Sequence, residues 1–228
     1  MLGLLSDTAQ APLACARTNV SALTAIAACA ASGSGAGFWW VGGVDSRLFY
    51  TPSGCTSCDV QLPVGWPATA APTFCQVKGG QLYVAVANAS GAGTWAIYAS
   101  SAALPTGSDS SLSWGALAWG AGGGTVRGFS FAPGSLVLYV AVEGRGVVQL
   151  ARAGAGAAFA SPLLNPGTAG AVDVLVNANG RKVFVLLGGS LAVVDASLGT
   201  SWDAAAVAVL HTLPADGSQF TGLALAPT

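Results

Sequence analysis

The chain has 228 residues and a net charge of −1, with only 7% charged residues against 53% in the hydrophobic set. That length buries a core of ordinary size without staples, and so much apolar content excludes a disordered chain. The eight basic residues, Arg17, Arg47, Lys78, Arg127, Arg145, Arg152, Arg181 and Lys182, are scattered, with only the last two adjacent, so the sequence shows no cationic cluster for phosphates; nucleic acid and anionic membrane surfaces are disfavoured as partners.

The longest uncharged runs lie between Arg17 and Asp45 and between Lys78 and Asp109. Gly, Ser, Thr, Asn and Pro interrupt both, so neither reads as a membrane span. Met1–Leu5 is apolar but meets Asp7 at once, too short for a secretory h-region. A surface so poor in charge is weakly soluble as a bare monomer, which points to glycans or to burial in an assembly.

In chain order, residues 1–36 form an N-terminal segment in which the Ala-rich Ser21–Ala31 reads as an outer strand or a short helix, with the strand preferred. Residues 37–228 carry a repeated phrase: an apolar strand, a Gly-containing turn, then a strand with an apolar and aromatic pair. The copies are Phe38–Tyr50, Phe74–Val84, Phe129–Val140 and Val174–Val185, and a fifth begins at Phe220 and stops at Pro227.

The aromatic anchors Phe49, Tyr83, Tyr139 and Phe184 are 34, 56 and 45 residues apart, the span of a four-stranded unit with loops of unequal length. Gly79-Gly80, Pro133-Gly134 and Asn179-Gly180 supply the positive φ that tight hairpins need. Further strands are expected at Thr94–Ala99, Ser113–Trp119, Val147–Ala151, Leu191–Asp195 and Ala206–Leu213. Phe220–Pro227 either closes onto an N-terminal strand or belongs to a ring that has been cut; the abrupt Ala226-Pro227-Thr228 ending favours the cut.

Phe131–Ala141, which reads Phe-Ala-Pro-Gly-Ser-Leu-Val-Leu-Tyr-Val-Ala, resembles the turn-and-strand phrase of NHL-like and YVTN-like β-propeller repeats, although the usual turn Asp is missing. The resemblance implies an all-β fold: a β-propeller or part of one, with about four four-stranded blades and the start of a fifth. The Ala- and Gly-rich, Cys-containing style is also similar to extracellular and ciliary-surface glycoproteins of green algae.

All five cysteines, Cys15, Cys29, Cys55, Cys58 and Cys75, fall in the first third of the chain. Only Cys55 and Cys58 have the CxxC spacing, so a four-thiolate zinc site lacks its second pair; the flanks are turn and strand, unlike a redox motif. Structural disulfides are the preferred reading, with connectivity open and one cysteine left over. Asn19-Val20-Ser21 and Asn88-Ala89-Ser90 match the N-glycosylation acceptor pattern. Cysteines, sequons and low charge together predict an extracellular or cell-surface location.

Catalytic candidates are scarce. His211 is the only histidine and sits in a strand alternation; Glu143 is the only glutamate and sits in a turn. Asp173 and Asp195 flank strands of one unit, and a paired-carboxylate site requires that they meet. Gly120–Gly124 fits neither a dinucleotide fingerprint nor a Walker A loop. The tryptophans Trp39, Trp40, Trp95, Trp114, Trp119 and Trp202 read as core. No cofactor and no metal is expected. The function expected is a non-enzymatic structural or interaction module of a larger glycoprotein assembly, with other protein chains, further domains or glycans as partners. The alternative is a propeller hydrolase or sugar-binding protein with a site in the central channel.

Overall fold

The computed structural model describes residues 2–3, 25–30, 38–42, 47–51, 71–78, 81–87, 94–100, 114–120, 123–154, 156–197, 200–214 and 222–225. The strands are β1 (Leu2–Gly3), β2 (Ala25–Ala30), β3 (Phe38–Gly42), β4 (Arg47–Thr51), β5 (Ala71–Lys78), β6 (Gln81–Ala87), β7 (Trp95–Ser100), β8 (Trp114–Gly120) and β9 (Val126–Phe131). They continue with β10 (Val137–Val142), β11 (Gly146–Ala151), β12 (Ala160–Asn165), β13 (Ala171–Val176), β14 (Lys182–Leu187), β15 (Ser190–Asp195), β16 (Val207–Thr212) and β17 (Ala224–Leu225). Among the described residues only three single-turn 3-10 helices accompany them, and none is long and apolar enough to cross a membrane.

Three antiparallel meanders of four strands, β5–β8, β9–β12 and β13–β16, are the expected blades. The chain forms two compact units: residues 9–123 hold β2–β8, and residues 124–228 with 1–8 hold β1 and β9–β17.

In the second, third and fourth copies the phrase occupies the first and second strands of its blade. Tyr139 on β10 lies between Ser130 and Gln149, and Phe184 on β14 between Leu175 and Val193. The first copy departs from this frame. Its strands β3 and β4 are the second and third of a three-stranded sheet, because β2, from the Ala-rich stretch, pairs ahead of them with Cys29 opposite Trp39. The start of the fifth copy pairs with an N-terminal strand, Leu2 opposite Leu225 and Gly3 opposite Ala224.

The turn chemistry explains the hairpins. Gly134 and Gly180 have φ of +80° and +75°, a region closed to most side chains. In the second of these turns Asn177 Oδ1 accepts the Lys182 N–H at 3.0 Å and Asn179 Oδ1 accepts the Arg181 N–H at 2.9 Å, so the side chains hold the reversal. Gly79-Gly80 lies outside the described residues.

In the unit of β9–β17 the core sits between neighbouring blades. Tyr139, Ala141 and Val147 of one meet Val174, Val176, Val183, Val185 and Val194 of the next, with Trp202 and Ala205 closing the cluster. Each such Val or Leu contributes about 1.5–3 kcal/mol when removed from water. The middle strands therefore read as apolar runs, since both of their faces are covered.

A set of polar contacts pins the same two blades. Trp202 sits in a 3-10 turn between β15 and β16, is buried, and donates its Nε1–H to the Val147 carbonyl at 2.9 Å. Its ring meets Tyr139 edge to face at 4.8 Å. Asn165, at the end of β12, donates to the carbonyls of Trp202 and Ala205, both at 2.8 Å. Thr168, in the connection to β13, accepts the Val147 N–H at 2.7 Å and donates to the Asn165 carbonyl. Ser130 Oγ on β9 accepts the Val176 N–H of β13 at 3.1 Å.

Candidate functional site

Asp173 is the one carboxylate among the described residues that is largely withdrawn from water without a cation beside it. It stands on β13 just after a register shift between Ala171 and Asp173. Its Oδ1 accepts the N–H of Val174, and its Oδ2 accepts the N–H of Leu223, each at 2.8 Å. Gly128 on β9 faces it so closely that a Cβ there would overlap Oδ1. Burial pushes the carboxyl up to about 6, and the two main-chain hydrogen bonds only partly oppose this. The group takes up a proton near pH 6, well above an ordinary aspartate, while both oxygens already accept from backbone.

The other acidic groups do not join it. Asp195 lies opposite Lys182, at the far end of the sheet from the pairing of Asp173 with Leu186. Lys182 Nζ is 2.5 Å from Asp195 Oδ2, and this contact, with Ser197, holds that carboxyl well below the usual range. Glu143 pairs with Arg127 at the surface. Asp203 is exposed, and so is His211, which pairs across to Leu191. The paired-carboxylate arrangement of Asp173 with Asp195 is thus excluded by strand position. No group of three His, Cys, Asp or Glu able to hold a metal occurs among the described residues.

Cys75 on β5 is 3% exposed and disulfide-bonded; the side chain of its partner lies outside the described set. Cys29 is placed only by its backbone on β2. Cys15, Cys55, Cys58, Asn19 and Asn88 lie outside the described residues.

The remaining feature is at the surface. Four of the five large exposed apolar side chains among the described residues fall on fourth strands, Trp119 on β8 at 57%, Leu163 on β12, and Val209 and Leu210 on β16 at 58% and 53%; the fifth, Leu136, lies in the turn before β10. Trp119 corrects the expectation of core packing, because it sits near the end of an outer strand whose other face covers the blade. Beside the C-terminal end of β16 lies an open groove of about 750 Å³, lined by Val209, Thr212, Leu213 and Pro214 with the Gly188-Gly189 hairpin and Ala169-Gly170.

No protein-family profile matches the sequence, and no curated protein matches it either. Solved structures do share the fold. A Kuenenia stuttgartiensis hydrazine synthase superposes with a TM-score of 0.53 at 13% identity, over 86% of this chain and 52% of that one. A putative 6-phosphogluconolactonase from Bacteroides uniformis gives 0.51 at 14%, over 81% and 54%. YCF48 bound to D1 peptide gives 0.50 at 19%, over 86% and 56%. The fold is that of a β-propeller, or part of one. The chain spans about half the length of these propeller structures.

Trp202, Asn165 and Thr168 were not distinguishable in the sequence as a group. Asn165-Pro166-Gly167-Thr168 reads as an ordinary turn; Asn165 gains its role from carbonyls 37 and 40 residues downstream, and Thr168 from the Val147 N–H 21 residues upstream. Asp173 carries no local signal either, since its burial depends on Gly128 and Leu223.

Proposed function

We propose that this chain is a non-enzymatic interaction module of an extracellular, disulfide-containing glycoprotein, working through the outer strands of its blades. The observation that carries the reading is the placement of Trp119, Leu163, Val209 and Leu210 on those strands, in a chain with very little charge to keep them solvated. Exposed aromatic and aliphatic side chains on outer strands poor in charge mark contact surfaces. The propeller described as YCF48 bound to D1 peptide gives the reading a precedent in a protein partner. The sequons at Asn19 and Asn88 and the five cysteines support the secreted setting.

The test compares the wild-type chain with Trp119→Lys/Leu163→Lys/Leu210→Lys, both expressed through a secretory pathway and used as bait in the same extracellular fraction. The reading expects partners retained by the wild type and lost by the triple variant at unchanged thermal stability. If both retain the same set, these outer strands are not contact surfaces. Peptide mapping that finds neither a glycan at Asn19 or Asn88 nor a bridge at Cys75 removes the extracellular part.

The competing reading, a hydrolase or sugar-binding site in a propeller channel, has Asp173 in its favour, a buried carboxyl that takes up a proton near pH 6. It requires turnover of a lactone or glycoside that Asp173→Asn abolishes while the chain stays folded.

A further inference from the structure

We propose that Asn179, at the tip of the hairpin between β13 and β14, is a modification site: the main-chain nitrogen of Gly180 displaces ammonia from its carboxamide, leaving aspartate or isoaspartate. The chemistry needs only water and is independent of any partner.

The connection reads Asn177-Ala178-Asn179-Gly180-Arg181, and Asn179 is exposed. Its Oδ1 accepts the Arg181 N–H at 2.9 Å, which folds the carboxamide back over the intervening Gly180 peptide and draws electron density away from Cγ. Gly180, at a φ of +75°, has no Cβ to shield its nitrogen. One restraint opposes the attack: the Gly180 N–H donates to the Asn177 carbonyl at 3.0 Å, so the nitrogen reacts only when that bond opens. In an exposed turn such openings cost little. The other described asparagines lack the combination. Asn165 is buried, donates to the carbonyls of Trp202 and Ala205, and precedes Pro166, whose nitrogen carries no proton. Asn177 precedes Ala178, whose Cβ crowds the nitrogen, and its Oδ1 accepts the Lys182 N–H at 3.0 Å.

The Gly180 nitrogen bonds to Asn179 Cγ and gives up its proton through solvent; the Cγ–Nδ2 bond breaks, and Nδ2 takes that proton and leaves as ammonia. The cyclic imide then takes up one water and opens at either carbonyl. Opening at Cγ gives aspartate, which keeps an oxygen for the Arg181 N–H. Opening at the main-chain carbonyl gives isoaspartate, which routes the chain through Cβ and Cγ and adds a methylene to the turn. That turn is closed by the Asn177 N–H on the Lys182 carbonyl and the Lys182 N–H on Asn177 Oδ1, both at 3.0 Å, so the longer isomer loosens the hairpin while the aspartate leaves it closed.

The test holds the whole folded chain at pH 8 and 37 °C in ¹⁸O-labelled water, with a parallel sample in urea, and maps peptides by mass spectrometry over several weeks. Expected is conversion of the Asn179 peptide ahead of those carrying Asn165 and Asn177, to both aspartate and isoaspartate, each with one ¹⁸O. The urea sample should convert about tenfold faster, because the Gly180 N–H is then free of Asn177. Asn179→Gln, which changes only an exposed side chain and would need a six-membered ring, should stop the conversion. Amide exchange at Lys182 should quicken in the isoaspartate fraction and not in the aspartate fraction. Conversion in urea with none in the folded chain overturns the proposal, since the turn would then seal the site. Aspartate without isoaspartate also overturns it, since water and not Gly180 would be the nucleophile, as does conversion of Asn165 at an equal rate.

Discussion

Asp173 Oδ2 accepts the backbone N–H of Leu223 at 2.8 Å, joining the start of β13 to the segment that leads into β17. Because β17 pairs with β1, this carboxylate stands behind the contact between the two ends of the described chain.

That position makes stability depend on pH in a direction opposite to most acidic residues. The carboxyl is raised from 3.8 to about 6 on folding, so the folded chain binds the proton more tightly than the unfolded one. The associated stability is complete below pH 4 and is lost as pH rises through 6. Allowing for partial exposure, the change is about 2 kcal/mol. Urea midpoints measured from pH 4 to pH 7.5 should fall over that window for the wild type. Asp173→Asn should flatten the profile and be less stable at pH 4, since a carboxamide offers one acceptor to two N–H groups.

Gly128→Ala should disturb the same contact from the other side. A Cβ there overlaps Asp173 Oδ1, and the carboxylate must rotate away from Val174 and Leu223. The expected cost is about 2 kcal/mol or more, and hydrogen exchange at Leu223 should accelerate. An unchanged Leu223 protection factor would show that the carboxylate does not hold this segment.

Trp202 and Asn165 should behave as one unit. Trp202→Ala removes a buried indole and should cost about 3–5 kcal/mol, while Trp202→Phe keeps most of the packing and loses only the bond to Val147, about 1–2 kcal/mol. Asn165→Asp sets a carboxylate against the carbonyls of Trp202 and Ala205 and should exceed 3 kcal/mol, more than Asn165→Ala. The double variant Trp202→Ala/Asn165→Ala should fall short of the sum of its parts in denaturant melts.

Lys182→Ala, by contrast, should leave the melting temperature within about 2 °C, because the Lys182–Asp195 pair lies in solvent. Whatever it contributes is present above the ordinary carboxylate range and fades only as acid protonates Asp195, well below pH 4.

The repeat phrase made the strands legible because each copy carries its own instructions: apolar alternation, a turn residue that tolerates positive φ, and an aromatic anchor. Tyr83, Tyr139 and Phe184 fall on second strands for that local reason. The first copy misled, since nothing in Phe38–Tyr50 announces that Ala25–Ala30 will pair ahead of it. Trp119 misled for a related reason: tryptophan signals burial on average, and the outer strand of a blade is where that average fails. The candidate site was largely illegible. Asp173, Gly128 and Leu223 are 45 and 50 positions apart and meet only through strand order, and the exposure of β16 follows from its being last in its sheet.

The pin formed by Trp202, Asn165 and Thr168 bears on how such a chain is divided. The connection after β15 is anchored in the preceding blade, and the end of β12 is completed by residues from the following one. A single blade excised at Asn165 or Ala171 leaves donors, carbonyls and an indole stranded. The pair of blades from Val126 to Thr212 keeps them all, so a cut between blades is costlier here than the strand pairing alone suggests.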